Sequence, residues 1–294
     1  MITVMPDRLL QPEIETKDDF PSRPPEDFVQ AWERVDSCLP VGTEVSPVSA
    51  ECRVVVYSDP TSAGADRFRM AQIRLKSLQA ARKLKSVLIT SPLPGEGKTT
   101  VALNLATVLS EKGKVPVLLL EADVFRPTLV KRLGLEPWSG LSECCKRGDD
   151  PMLASRRIDP LGFYLLPAGQ AVEDGASLLQ SNFASQLIKG LSSGFFSWVL
   201  VDSPPTTPVA AILALRAQVD GTLLVARAGE TPREAIEESI RNLGRDHILG
   251  IILNGVEGLN RMYSKYYGYG KSNAPGKPTK PKSLTALELN EHAK

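Results

Sequence analysis

A strand that runs directly into a glycine turn and then a helix constrains this chain more than any other feature. Residues 86–106 read SVLITSPLPGEGKTTVALNLA. SVLIT has strand character, Pro94-Gly95-Glu96-Gly97 forms a tight turn, and Lys98 opens a stretch with helical spacing. In such a turn successive backbone N–H groups converge, and the positive end of the following helix dipole points into the loop. The segment therefore predicts an anion cradle. Glycine lets the main chain approach a phosphate closely, Lys98 would reach the β- and γ-phosphates, and the Thr99 hydroxyl would hold Mg²⁺. Pro94, Gly95, Glu96, Gly97, Lys98, Thr99 and Thr100 are the expected nucleotide-binding residues. The regular spacing GxxxxGK[ST] asks for glycine at 92, where this chain has Pro92, but Gly97-Lys98-Thr99 is intact.

Around this unit, short aliphatic runs alternate with helix-period segments. Strands are expected at 53–57, 86–90, 115–121, 162–168, 197–202, 221–226 and 248–254. Helices that stop at glycine are expected at 102–113 and 232–244. Several strands are apolar at successive positions, as when helices cover both faces of a sheet. The predicted fold class is α/β: a three-layer P-loop NTPase fold with a mainly parallel sheet covered by helices on both faces, and flexible N- and C-terminal extensions. Residues 1–50, rich in proline and acid, read as an arm with one docking helix in EDFVQAWERVDSCL; 51–262 read as the domain; 263–294 read as a mobile tail of Tyr, Gly, Lys and Pro.

Composition excludes some functions. The 294 residues carry 35 basic and 34 acidic side chains, so no global field points to nucleic acid or an anionic membrane. No apolar run approaches the ~20 residues of a membrane span, and the first residues lack a secretory pattern; the expected location is the cytoplasm. The four cysteines, Cys38, Cys52, Cys144 and Cys145, have no CxxC spacing and read as reduced, packed thiols. His247 and His292 receive no ligand role.

Two further strands deliver acids to the edge that carries the phosphate loop. SWVLVD ends at Asp202, and VLLLEAD brings Glu121 and Asp123. One strand-end carboxylate alone is best read as solvated; three beside the loop make a Mg·nucleotide site. Expected metal ligands are Thr99, Asp123 and Asp202; expected catalytic residues are Lys98, Glu121, Asp123 and Asp202, with either Glu121 or Asp123 accepting a proton from an incoming hydroxyl. Arg126 is read equally as steadying phosphate charge or as a solvated arginine, and Asn254 as touching the adenine base or as capping a strand end.

These motifs together resemble the bacterial tyrosine kinases of capsule and exopolysaccharide assembly, in the form whose cytoplasmic kinase is a separate chain. PGEGKT (94–99), ALNLA (102–106), EADVFRP (121–127), LVDSPP (200–205) and GIILNGV (250–256) before a tyrosine cluster are similar to that family's motifs, in order, over roughly 53–270. The resemblance implies an ATP- and Mg²⁺-dependent protein-tyrosine autokinase that phosphorylates Tyr263, Tyr266, Tyr267 and Tyr269 between neighbouring subunits of a ring. It also implies a membrane-anchored activator that controls polysaccharide chain length, and a place at the inner face of the plasma membrane through that partner. Each phosphate would add nearly two negative charges to the tail.

The chain departs from the family's pattern at several positions. Glu121 and Phe125 stand where aspartate and arginine are usual, Ala211 where an aspartate often follows, and Asp66, Arg69 and Gln72 match the ring-contact pattern ExxRxxR only in part. A carboxylate misplaced by about 1 Å can cost on the order of 100-fold in rate. Two alternatives follow: an ATP-binding, kinase-like scaffold of a polysaccharide assembly complex with little transfer, and a positioning ATPase of the MinD/ParA type. Leu93, at the position of that type's extra lysine, argues against the latter.

Overall fold

The structure, a computed structural model, describes residues 42–207 and 209–256. The docking helix expected in the arm, Cys38 and the four tail tyrosines lie outside the described residues.

The chain runs β1 (Gly42–Val45), α1 (Val55–Ser58), α2 (Ala63–Arg82), β2 (Ser86–Thr90), α3 (Lys98–Leu109), β3 (Val117–Glu121), α4 (Leu129–Arg132), α5 (Leu141–Arg147) and α6 (Pro151–Ala154). It continues with β4 (Arg156–Asp159), β5 (Phe163–Leu166), α7 (Gly175–Gln180), α8 (Asn182–Ser193), β6 (Trp198–Asp202), α9 (Val209–Arg216), β7 (Gly221–Arg227), α10 (Arg233–Leu243) and β8 (Ile248–Asn254). The strands form one sheet in the order β1-β4-β5-β3-β6-β2-β7-β8. Its ladders are parallel except β4 against β5.

Alternation along the central strands separates two cores. Leu88, Leu118, Leu120, Val199 and Val201 face a cluster built with Phe183, Leu187, Ile212 and Leu215. Val87, Ile89, Val117, Leu119, Trp198 and Leu200 face the other, built with Leu75, Val101, Leu105 and Leu109. Helices on both sides thus explain why β2, β3 and β6 are buried at every position. The connection from β2 leads towards β3, whereas its neighbour β7 leads the other way to β8, so the loop after β2 emerges at a topological switch point.

Two expectations are corrected. RVVVY (53–57) is no strand: Arg53 adopts φ 51°, and Val55–Ser58 is a helical turn. Asn104 of α3 imposes this, accepting from the Val56 N–H at 3.2 Å and donating to the Arg53 carbonyl at 2.9 Å. Tertiary contact overrides the β-branched composition. Residues 42–50, placed in the arm, include edge strand β1, in register with β4 from Gly42↔Arg156 to Val45↔Asp159. Cys52, Cys144 and Cys145 are free and buried, and burial pushes the last two thiols well up, as expected of packed cysteines.

Candidate functional site

The site lies at the carboxyl ends of β2, β3 and β6. Register sets it: Asp202 is paired with Ile89 on one side and Glu121 on the other. The acids therefore stand beside the exit of the strand that feeds the phosphate loop.

The loop itself is held open by its backbone. Gly95 and Gly97 have φ +84° and +92°, in the left-handed region that favours glycine. A Cβ on Gly95 would meet nothing within 4 Å, whereas one on Gly97 would collide with the Asn254 amide. The side chain of Glu96, buried, turns inward as a staple: it accepts from the Leu93 N–H at 2.8 Å and bonds the Thr231 hydroxyl. From the β7 and β8 ends, Arg227 reaches the Gly95 carbonyl at 3.4 Å and Asn254 donates to the Glu96 carbonyl at 2.9 Å. Thr100, in the first turn of α3, accepts from Arg132 at 3.1 Å.

Lys98 and Asp123 form an ion pair at 3.3 Å, each side chain 14% exposed. The other Asp123 oxygen accepts from the Arg126 N–H at 3.3 Å. Asp202 is fully buried, and its Oδ1 is a buried oxygen with no hydrogen-bond partner. Burial pushes its pKa up to about 7, against the opposing pull of the Lys98 charge and the Thr99 hydroxyl; Glu121 and Asp123 push it further up.

Glu121 behaves differently. Its Oε1 accepts from the N–H groups of Thr128 at 2.6 Å and Leu129 at 2.8 Å, and its Oε2 from that of Ala168 at 3.2 Å. Burial raises its pKa while these three amides pull it down. The side chain fastens the start of α4 and the exit of β5 to the end of β3. Phe125, the second departure, packs against the apolar cluster beside Gly175, and Ala211 is fully buried in it.

The residues present fit Mg²⁺ with a nucleotide. Among the described residues no three or more His, Cys, Asp or Glu side chains gather into a cluster that could hold a metal ion. Mg²⁺ in nucleotide sites takes one or two carboxylates and completes its shell with phosphate and water, which suits an orphaned Asp202 oxygen beside a Thr99 hydroxyl. Lys98, Thr99, Asp123 and Asp202, all legible in the sequence, come together in the structure. Thr231, Arg227 and Arg132 carry no local motif and are visible only in the fold.

No protein-family model matches the chain. Tyrosine-protein kinase YwqD of Bacillus subtilis is 30% identical over 217 residues, 73% of this chain and 91% of that protein. This chain belongs to the bacterial tyrosine kinase family. The succinoglycan biosynthesis transport protein ExoP of Rhizobium meliloti is likewise 30% identical, over 76% of this chain but only 30% of ExoP's length. Among solved structures, the kinase domain of the Escherichia coli tyrosine kinase ETK superposes with a TM-score of 0.63 at 26% identity, covering 69% of this chain and 80% of that one. As a bacterial tyrosine kinase chain it has an α2 whose Asp66 and Arg69 pair with each other at 2.6 Å and whose Gln72 donates to the Val108 carbonyl at 2.8 Å. The partly matched ring-contact positions thus make bonds within their own chain. Among the described residues no helix is long and apolar enough to cross a membrane.

Proposed function

We propose that this chain is an ATP- and Mg²⁺-dependent protein-tyrosine kinase of capsule or exopolysaccharide assembly, acting on Tyr263, Tyr266, Tyr267 and Tyr269 of a neighbouring copy. The observation that carries the reading is the convergence of Lys98, Thr99, Asp123 and Asp202 at a phosphate loop, in a chain of this family. Lys98, released from Asp123, would clamp the γ-phosphate; Thr99 and Asp202 are the residues that would hold the metal, with Asp123 as a further candidate ligand. Bound Mg²⁺ supplies neutralisation of the charge on the β- and γ-phosphates. The tyrosyl oxygen attacks the γ-phosphorus, the bond from that phosphorus to the ADP oxygen breaks, and the phenol proton passes to a carboxylate. Asp123, the least buried of the three acids, takes that proton once Lys98 has turned to the phosphate; Glu121 is committed to three amides and acts by positioning. A membrane-anchored chain-length protein is the proposed activator, and the inner face of the plasma membrane the proposed place of action. ExoP, a transport protein far longer than its matched segment, supports that association.

Tandem mass spectrometry of the tail, after expression with and without a membrane activator, tests this against a Lys98→Met control. Phosphate on the tail tyrosines that vanishes in the control is the expected result. An unmodified tail in every sample, with ATP still bound, would favour a second reading, the nucleotide-binding scaffold. The three amide bonds of Glu121 are the observation on that reading's side.

A further inference from the structure

On the β5 side of the acids lies a cavity of about 380 Å³ that the nucleotide site does not use. Its walls include Pro127, Leu135, Pro137, Trp138 and Pro167, and it reaches Glu121. The Trp138 indole is fixed from outside: its N–H donates to the Ala154 carbonyl at 2.8 Å, and the Arg156 guanidinium sits 4.8 Å from the ring centroid. Arg156 is itself paired with Glu44 of β1 at 2.5 Å. Flat proline and indole surfaces favour a planar apolar ring, and the polar side chains of Glu121, Thr128 and Lys131 in the same lining favour a ring with a polar tip.

The cavity's position narrows the ligand. Glu121 is shared between the cavity and the acid cluster, being register-paired with Asp202 and two residues from Asp123. Asn254 lies at the opposite side of the loop, in β8, with β6, β2 and β7 between it and β3. The cavity thus adjoins the acids at Glu121, on the side of them away from Asn254.

We propose that this cavity seats the phenol ring of an acceptor tyrosine, with Trp138 as the residue that selects for it. The proposal rests on the kinase reading above. It identifies where the acceptor binds rather than which residues move phosphate. The occupant is a tyrosyl side chain of a peptide segment from a second copy of this chain.

The test separates binding from transfer. A labelled peptide of residues 260–272, NRMYSKYYGYGKS, is titrated by fluorescence anisotropy into the full chain whose own four tail tyrosines are replaced by serine. Trp138→Ala is expected to weaken the peptide about tenfold, the loss of roughly one buried aromatic contact, and Trp138→Phe to restore most of it. Pro137→Arg, at the cavity's exposed rim, should weaken it as well and covers the case in which Trp138→Ala fails to fold. The Kd for Mg·ATP should not change in any of these variants. Equal peptide affinity in wild type, Trp138→Ala and Pro137→Arg, or no saturable binding to the full chain, would overturn the proposal. So would a loss of Mg·ATP affinity instead, which would make the cavity a nucleotide subsite. Adding Mg·ATP to the bound peptide then judges the kinase reading alone: binding without transfer keeps the seat and drops the enzyme, and transfer indifferent to Trp138 and Pro137 does the reverse.

Discussion

Asp202 and Glu121 are both buried acids, and their partners give them opposite tasks. The Asp202 pKa is raised from 3.8 to about 7, so between those values the folded protein holds a proton that the unfolded chain has released. Stability of the nucleotide-free protein therefore falls as pH rises from about 4 through 7, and the loss is complete above that. Asp202→Asn removes the penalty. At pH 8 the nucleotide-free variant should melt several degrees above wild type, a gap that narrows as pH falls and closes at about pH 4, while its gain in Tm from Mg·ATP disappears. Thermal melts across pH check this, and an unchanged gap at every pH would refute it. Glu121 instead bonds three backbone amides. Aspartate, one methylene shorter, cannot span all three, so Glu121→Asp should cost about 1–3 kcal/mol in urea denaturation, although it restores the residue usual in the family. The longer acid is thus read as an adaptation of the loop it fastens. The carboxylate was legible in the sequence; its role was not, because the amides it meets come from residues 128, 129 and 168.

At the scale of elements, the phosphate loop depends on strands remote in sequence. Asn254 at the end of β8 donates to the Glu96 carbonyl, Arg227 ends β7, and Thr231 follows it. If Asn254 acts by holding the loop, Asn254→Ala should weaken ATP and GTP alike, by about fivefold for one lost hydrogen bond. If it touches the base, the ATP:GTP preference should shift. Equilibrium titration with both nucleotides separates the two. The six strands read correctly from the sequence are those whose burial or alternation is strong: β2, β3 and β6 are buried throughout, and β5, β7 and β8 carry aliphatic runs. GTEV and RRID escaped because short, charged strands towards a sheet edge lack an apolar signature. RVVVY misled for the converse reason: its valines suit a strand, but Asn104 supplies the backbone partners that a neighbouring strand would have given.

For the whole molecule, the misread boundary has an energetic consequence. β1 belongs to the sheet, and the segment after it is tied in: the Ser46 N–H donates to the Asp159 carbonyl at 2.8 Å and its hydroxyl to the Leu133 carbonyl at 2.8 Å. Pro47 packs against Gly134, and the Cys52 thiol donates to the Arg132 carbonyl at 2.9 Å. These contacts hold the far end of α4, the helix whose start Glu121 fastens and whose Arg132 reaches Thr100 beside the phosphate loop. A chain beginning at Gly42 and one beginning at Glu51 should therefore differ. Without 42–50, β4 loses its outer ladder and Arg156 its partner Glu44, so the shorter chain should melt roughly 5 °C or more below the longer. Because Arg132 and the indole beneath Arg156 are loosened together, the shorter chain should also bind both nucleotide and acceptor peptide more weakly. Equal melting temperatures and affinities for the two truncations would show that β1 is dispensable, and that the domain begins where the composition of the chain had suggested.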